Sequence, residues 1–234
     1  RQIGRTRDCM IPENKKNSYM GLRALLRSRT LYDMDMIFYK YPKELFPFDF
    51  DVYKASPIRC EMAVTNCLTG KAEYLDDRED EDRLLSICRA SSSMPVVSRM
   101  VDLDGTPYLD GGLADSVPLA RLLREGCKKA VVVLTRNEGY RKSLSRKAAA
   151  IYRRVYGKQY PELLKTIYRR PAVYNRTMEL IERLEREGRI FVIRPQVPVI
   201  SRTEHRTEVL QGFYKHGYDQ MQERYPELLA YLEK

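Results

Sequence analysis

An α/β fold is predicted by three features of the sequence. Residues 130–134 (AVVVL) and 190–194 (IFVIR) are short apolar runs rich in β-branched residues, the pattern of parallel strands covered on both faces. Met178, Ile181 and Leu184 recur at the threefold spacing of an amphipathic helix. Strand-like and helix-like segments alternate along the chain, which predicts helices packed on a mostly parallel central sheet.

Taken in order, residues 1–7 are polar and read as the tail of a helix. Residues 21–28 (GLRALLRS) form a short helix, and residues 34–50, rich in aromatics and proline, read as irregular structure with short turns. Residues 61–66 read as a strand that pairs with 71–75 across Leu68-Thr69-Gly70. Residues 79–90 are helical, with Leu84, Leu85, Ile87 and Cys88 as the apolar stripe. Residues 101–103 and 107–109 form a hairpin around Asp104-Gly105, a pair that supplies the positive φ angles of a tight turn. Residues 116–124 read as a helix with Pro118 in its first turn and Gly126 just past its end. Further on come a basic, tyrosine-bearing helical region over 140–169 and an amphipathic helix over 175–187. A long terminal helix over 203–225 is followed by a short one over 226–232.

A chain of 234 residues suffices for one α/β domain with a sizeable core, and no repeat or linker divides it, so residues 1–234 read as a single domain. A hydrophobic share of 43% and an aromatic share of 10% exclude a disordered chain. No apolar run reaches the length of a membrane-spanning helix, and no signal-peptide pattern opens the chain. The five cysteines include no Cys-x-x-Cys pair, and there are only two histidines. Neither a metal site nor any other cofactor is therefore expected, and free thiols fit a reducing cytoplasm.

The net charge of +10 is unevenly spread. Residues 136–170 hold eleven basic residues and two acids, Glu138 and Glu162, a local charge of +9. Residues 76–82 (DDREDED) gather six acids around one base. Such runs ordinarily form solvated faces. The alternative is that the chain is a non-catalytic docking module, peripheral to the membrane, that uses 136–170 to meet anionic lipid headgroups, with nucleic acid the less favoured partner. Tyr152, Tyr156, Tyr160 and Tyr168 would then insert at a lipid interface or stack on bases.

The chemistry concentrates in residues 89–119 (RASSSMPVVSRMVDLDGTPYLDGGLADSVPL): a helix end, a proline turn, a hairpin, then Asp110 where the strand stops. A carboxylate at a strand end can point off the sheet edge, where open α/β sheets hold their ligands. Gly111 and Gly112 leave the backbone bare for a close approach. As a tripeptide, Asp-Gly-Gly is equally an ordinary turn. Its surroundings are more specific. Ala90-Ser91, Pro95, Asp110-Gly111-Gly112 and Val117-Pro118 together resemble the second motif of the patatin-like phospholipases, and of their bacterial members in particular. The resemblance continues through 131–136 (VVVLTR), 170–175 (RPAVYN) and 190–195 (IFVIRP), and covers nearly the whole chain.

That resemblance implies a three-layer patatin-like sandwich and a serine acyl hydrolase acting on lipid or other carboxylic esters through a Ser–Asp dyad. Asp110 would be the base or orienter, with Gly111 and Gly112 supporting it. The dyad needs the carboxylate within hydrogen-bond reach of the hydroxyl, and donors already aimed at the developing oxyanion. No Gly-x-Ser-x-Gly elbow and no glycine-rich oxyanion loop occur in these residues. Both are expected upstream of Arg1, and residues 1–5 (RQIGR) are similar to the segment that follows the elbow helix. The chain is thus expected to be the C-terminal portion of its protein and inactive alone; a relative that has lost its elbow is the other possibility. Ser91, Ser92 and Ser93 read as helix termination. His205 and His216 read as surface or packing residues of the terminal helix. Asp102 and Asp104 read as turn residues and Asp115 as the cap of the following helix.

Overall fold

A computed structural model describes residues 4–11, 18–30 and 32–233, so the first three residues of the expected N-terminal helix tail lie outside the described residues. The chain groups into two compact units: Arg1–Ser116 with Leu144–Arg170, and Val117–Ser143 with Pro171–Lys234.

The first unit opens with helices α1 (Arg5–Met10) and α2 (Leu22–Ser28). The stretch expected to be irregular instead holds a π-helix, Met36–Leu45, whose wide turn closes with the Phe46 N–H donating to the Tyr41 carbonyl at 2.7 Å. The π-helix tolerates Pro42, and it buries Met36 and Tyr41 with Cys9 and Tyr19 in a small cluster. The short helix α3 (Phe50–Ala55) follows, capped by Asp49 through the Val52 N–H.

The acidic run at 76–82 is used rather than merely solvated. Asp80 caps α4 (Glu81–Ser91) by accepting from the N–H groups of Asp82 and Arg83. Asp77 accepts the N–H of Asp80 and Glu79 and faces Arg83, which together hold its carboxyl below the usual range. Asp76 accepts from the Tyr53 hydroxyl, and Asp82 pairs with Lys43 of the π-helix.

Four strands follow the expected boundaries closely: β1 (Met62–Asn66), β2 (Ala72–Leu75), β3 (Val101–Leu103) and β4 (Thr106–Asp110). Their spatial order is β2-β1-β4-β3, and every pairing is antiparallel. The expected mostly parallel sheet is corrected here. Both hairpins form locally, β1/β2 through the side-chain acceptor of Asn66 and β3/β4 through left-handed Asp104 and Gly105, and the hairpins then join edge to edge. Helix α4 covers one face, packing Ile87 and Ala90 against Val64, Leu103 and Tyr108. The other face is covered by α6 (Arg146–Tyr156) and the start of α7 (Pro161–Arg186), where Tyr156, Leu163 and Ile167 meet Cys67 and Leu109. Helix–sheet–helix layering is therefore present, around an antiparallel sheet. Burial pushes the Cys67 thiol up to about 12, which keeps it an inert core group.

Gly70 ties the β1/β2 turn to α7. Its φ is +67°, and a Cβ there would lie 2.5 Å from the Glu162 carbonyl oxygen and 2.6 Å from the Thr166 hydroxyl, which donates to the Gly70 carbonyl. Gly70→Ala is expected to destabilise the protein by about 2–4 kcal/mol, read as a shift of the urea midpoint.

The second unit holds α5 (Leu119–Arg124), β5 (Val131–Val133), β6 (Phe191–Ile193), α8 (Thr207–Glu233) and the part of α7 beyond Arg170. Helix α5 starts later than expected, with Pro118 as its cap residue rather than inside its first turn. Strands β5 and β6 are parallel, as the apolar runs predict. Val132 and Val192 pack on Met178, Ile181 and Leu184, the stripe read from the sequence. The expectation that β5 is covered on both faces fails: Val131 and Val133 are 43% and 69% exposed, because α8 covers their face over β6, with Arg224 and Tyr231 against Phe191, and leaves β5 open.

Two helices also run longer than expected. Helix α7 passes through Pro171 and absorbs the separate helix placed at 175–187; α8 passes through Pro226. A proline deletes a single backbone donor, and α7, whose apolar residues pack on both sides of Pro171, tolerates that loss.

Candidate active site

Asp110 is the last residue of β4, opposite Val64 of β1. Its backbone is clamped on both sides. The Asp110 N–H donates to the Ser93 carbonyl at 2.9 Å, and its carbonyl accepts from the Thr65 hydroxyl at 2.9 Å. The same hydroxyl oxygen accepts the Ala114 N–H at 3.3 Å, so fully buried Thr65 ties the strand end to the loop beyond it. Asp110 Oδ1 accepts the Gly112 N–H at 2.7 Å and caps the single 3₁₀ turn Gly111–Leu113. The side chain itself is half-buried.

The two glycines have separate reasons. Gly111 is buried where the loop crosses β1: a Cβ there would lie 2.1 Å from the Ala63 carbonyl oxygen, a distance no side chain tolerates. Gly112 presents its carbonyl to two donors, Ser116 Oγ and Arg170 Nε, each at 2.7 Å. Arg170 thereby brings the last basic residue of the 136–170 run onto the Asp-Gly-Gly loop.

Most supporting assignments from the sequence hold. Ser91 Oγ donates to the Ala63 carbonyl and Ser93 Oγ to the Arg89 carbonyl, both at 2.8 Å, so these hydroxyls finish a helix and brace β1. Asp102 accepts the Gly105 N–H at 3.0 Å inside the hairpin turn. Asp104 lies in the turn and also pairs with Arg83. Asp115 is a correction: it caps no helix, and its carboxylate accepts the Tyr74 hydroxyl at 2.6 Å, tying the loop to β2. His205 is a second correction, since it precedes α8 rather than lying on it; His216 is on α8 and accepts the Gln196 N–H at 3.2 Å.

Thr65, Ser93 and Arg170 were not singled out by the sequence as positioning residues. Thr65 carries the one usable signal, a hydroxyl at a strand position that packs inward. Thr65→Val keeps the shape but strands the Asp110 carbonyl, while the Ala114 N–H keeps its bond to the Gly111 carbonyl at 3.1 Å. It is expected to cost about 1–3 kcal/mol by urea unfolding, with Thr65→Ser losing much less.

Residues 5–123, half of the chain, match the family model described as patatin-like phospholipase. The chain belongs to the patatin-like phospholipase family. The matched segment carries the Asp-Gly-Gly loop and every β1–β4 residue that holds it. Residues 160–233 match a second model, described as a domain of unknown function, DUF6363. The uncharacterized protein YjjU of Escherichia coli strain K12 is 25% identical over 146 residues, covering 57% of this chain and 38% of YjjU. Membership of this family implies an α/β fold, in keeping with the helices and strands described above. Among the described residues, no helix is long and apolar enough to cross a membrane.

Proposed function

We propose that Asp110 is the acid of a Ser–Asp dyad that hydrolyses lipid or other carboxylic esters. The observation that carries this reading is the fixed aim of the carboxylate: one oxygen is held by the Gly112 N–H at 2.7 Å while the backbone on either side is anchored by Ser93 and Thr65. A base orientated before substrate arrives lowers the cost of reaching the reactive geometry. The nucleophile is a serine outside these 234 residues, which contain no Gly-x-Ser-x-Gly.

In the proposed reaction Asp110 takes the serine proton as Oγ attacks the ester carbonyl. The carbonyl–alkoxy bond breaks, and the leaving alcohol receives that proton. Water then attacks the acyl-enzyme, giving a proton to Asp110 as the new C–O bond forms. The acid departs and the serine oxygen regains the proton. The five cysteines are free thiols, which supports a reducing, cytoplasmic setting.

The test is hydrolysis of p-nitrophenyl butyrate by the intact gene product and by residues 1–234 alone. Turnover is expected from the first and none from the second. An intact protein inert at every enzyme concentration, or a segment as fast as the whole, overturns the reading.

A further inference from the structure

Helix α6 and the start of α7 turn their apolar and charged groups in an unusual way. Tyr152 and Tyr156, one helical turn apart, face inward onto Cys67, Leu109 and Ile167, and Tyr160 packs with them. The Tyr156 hydroxyl accepts the Val96 N–H at 2.8 Å. The outward face instead carries Ile151 and Val155, 51% and 49% exposed, at the spacing of one turn. Lys147, Arg154 and Lys158 share that face by the same spacing, and Arg153 is exposed on the flank of the helix that meets Tyr168.

The charges on this surface are unmatched. Residues 144–170 hold eight basic residues and one acid, Glu162, which pairs with Lys165 at 2.6 Å. Among the described residues, no ion pair engages Arg146, Lys147, Arg153, Arg154 or Lys158. Arg153 and Arg154 border an open groove of about 510 Å³ that is otherwise lined by Ala149, Ala150 and the exposed ring of Tyr168. A groove of small and aromatic groups under two unpaired guanidinium groups has the chemistry to receive a phosphate carrying an acyl chain.

We propose that this outward face of α6, with Tyr168 of α7, docks on anionic lipid bilayers. The basic residues meet headgroup phosphates while Ile151 and Val155 enter the acyl boundary. The aliphatic character of the face decides between lipid and nucleic acid. Base stacking needs aromatic faces, and three of the four tyrosines in residues 144–170, Tyr152, Tyr156 and Tyr160, are turned toward the core. The proposal stands on α6 itself and holds whether or not Asp110 is catalytic.

The test is co-sedimentation of the full chain with phosphatidylcholine vesicles, with and without phosphatidylserine, alongside a fluorescent single-stranded oligonucleotide. Hydrolysis plays no part in the readout. Binding is expected only with phosphatidylserine present and is expected to weaken with salt. R153E/R154E is expected to lower the partition coefficient by roughly thirtyfold or more. I151S/V155S is expected to lower it by roughly tenfold. All these residues are exposed, and an unchanged circular dichroism melt verifies that each variant is folded. Equal recovery on both vesicle types overturns the proposal, as does undiminished binding by either double variant. Oligonucleotide binding tighter than vesicle binding and indifferent to I151S/V155S also overturns it, in favour of a nucleic-acid surface.

Discussion

In the intact protein, Asp110→Asn is expected to lower kcat for ester hydrolysis by about 10³–10⁴-fold while moving the melting temperature by no more than about 2 °C. The two halves of that expectation rest on different oxygens. Asparagine keeps a carbonyl Oδ1 that accepts the Gly112 N–H, so the cap of the 3₁₀ turn survives. It also leaves untouched the backbone bonds to Ser93 and Thr65, which involve no Asp110 side-chain atom. What it removes is the negative charge and the capacity to take a proton from a hydroxyl. Asp110→Ala is the informative companion. It forfeits the cap as well, at about 1 kcal/mol, and should lower the melting temperature by about 2–4 °C on top of the same loss of rate. Steady-state kinetics paired with calorimetry on both variants therefore separates proton transfer from loop structure. Full activity in the asparagine variant would end the dyad proposal.

Much of this site was legible in the sequence because its parts are local. The β3/β4 turn is declared by Asp104-Gly105, the end of β4 by Gly111-Gly112, and the end of α4 by three consecutive serines. Each is a feature of backbone conformation over a few residues, which composition reports well. What escaped is long-range. The donor to the Asp110 carbonyl is 45 residues away in sequence, and the donor from Arg170 to Gly112 is 58 away. Sheet direction escaped for the same reason: alternation of strands and helices predicts parallel pairing, yet two hairpins joined through β1 and β4 make an antiparallel sheet from the same local pattern. The prolines misled in the other direction. Pro171 and Pro226 read as helix breaks, but the apolar contacts of α7 on either side of Pro171 outweigh one lost hydrogen bond. The basic run was legible as charge and illegible as a surface, since only the packing of Tyr152 and Tyr156 reveals which residues α6 turns outward.

Gly111→Ala is expected to be the most damaging single-methyl change in the first unit. The added Cβ would sit 2.1 Å from the Ala63 carbonyl oxygen, 2.3 Å from its carbon and 2.7 Å from its Cβ. Relief requires β1 or the loop to move, and neither is free to do so. Ala63 pairs with Tyr74 of β2, and its carbonyl already accepts from Ser91 Oγ at 2.8 Å. On the other side, Val64 pairs with Asp110 itself. The clash is therefore backbone against backbone in the centre of the sheet, with no flexible side chain to yield. A cost of about 3–5 kcal/mol follows, at or above the upper end for overpacking, with a fall of about 6–20 °C in melting temperature. The comparison with Gly112→Ala makes the cause plain. There the nearest atom is Asp110 Oδ1 at 3.0 Å, a side-chain oxygen that can shift, and the next contacts are at 3.8 Å. Gly112→Ala should thus leave the fold standing but disturb the aim of the carboxylate, so its activity loss should exceed its stability loss. A Gly111→Ala protein that melts within about 2 °C of wild type would mean that β1 does not pack against the aspartate loop as described.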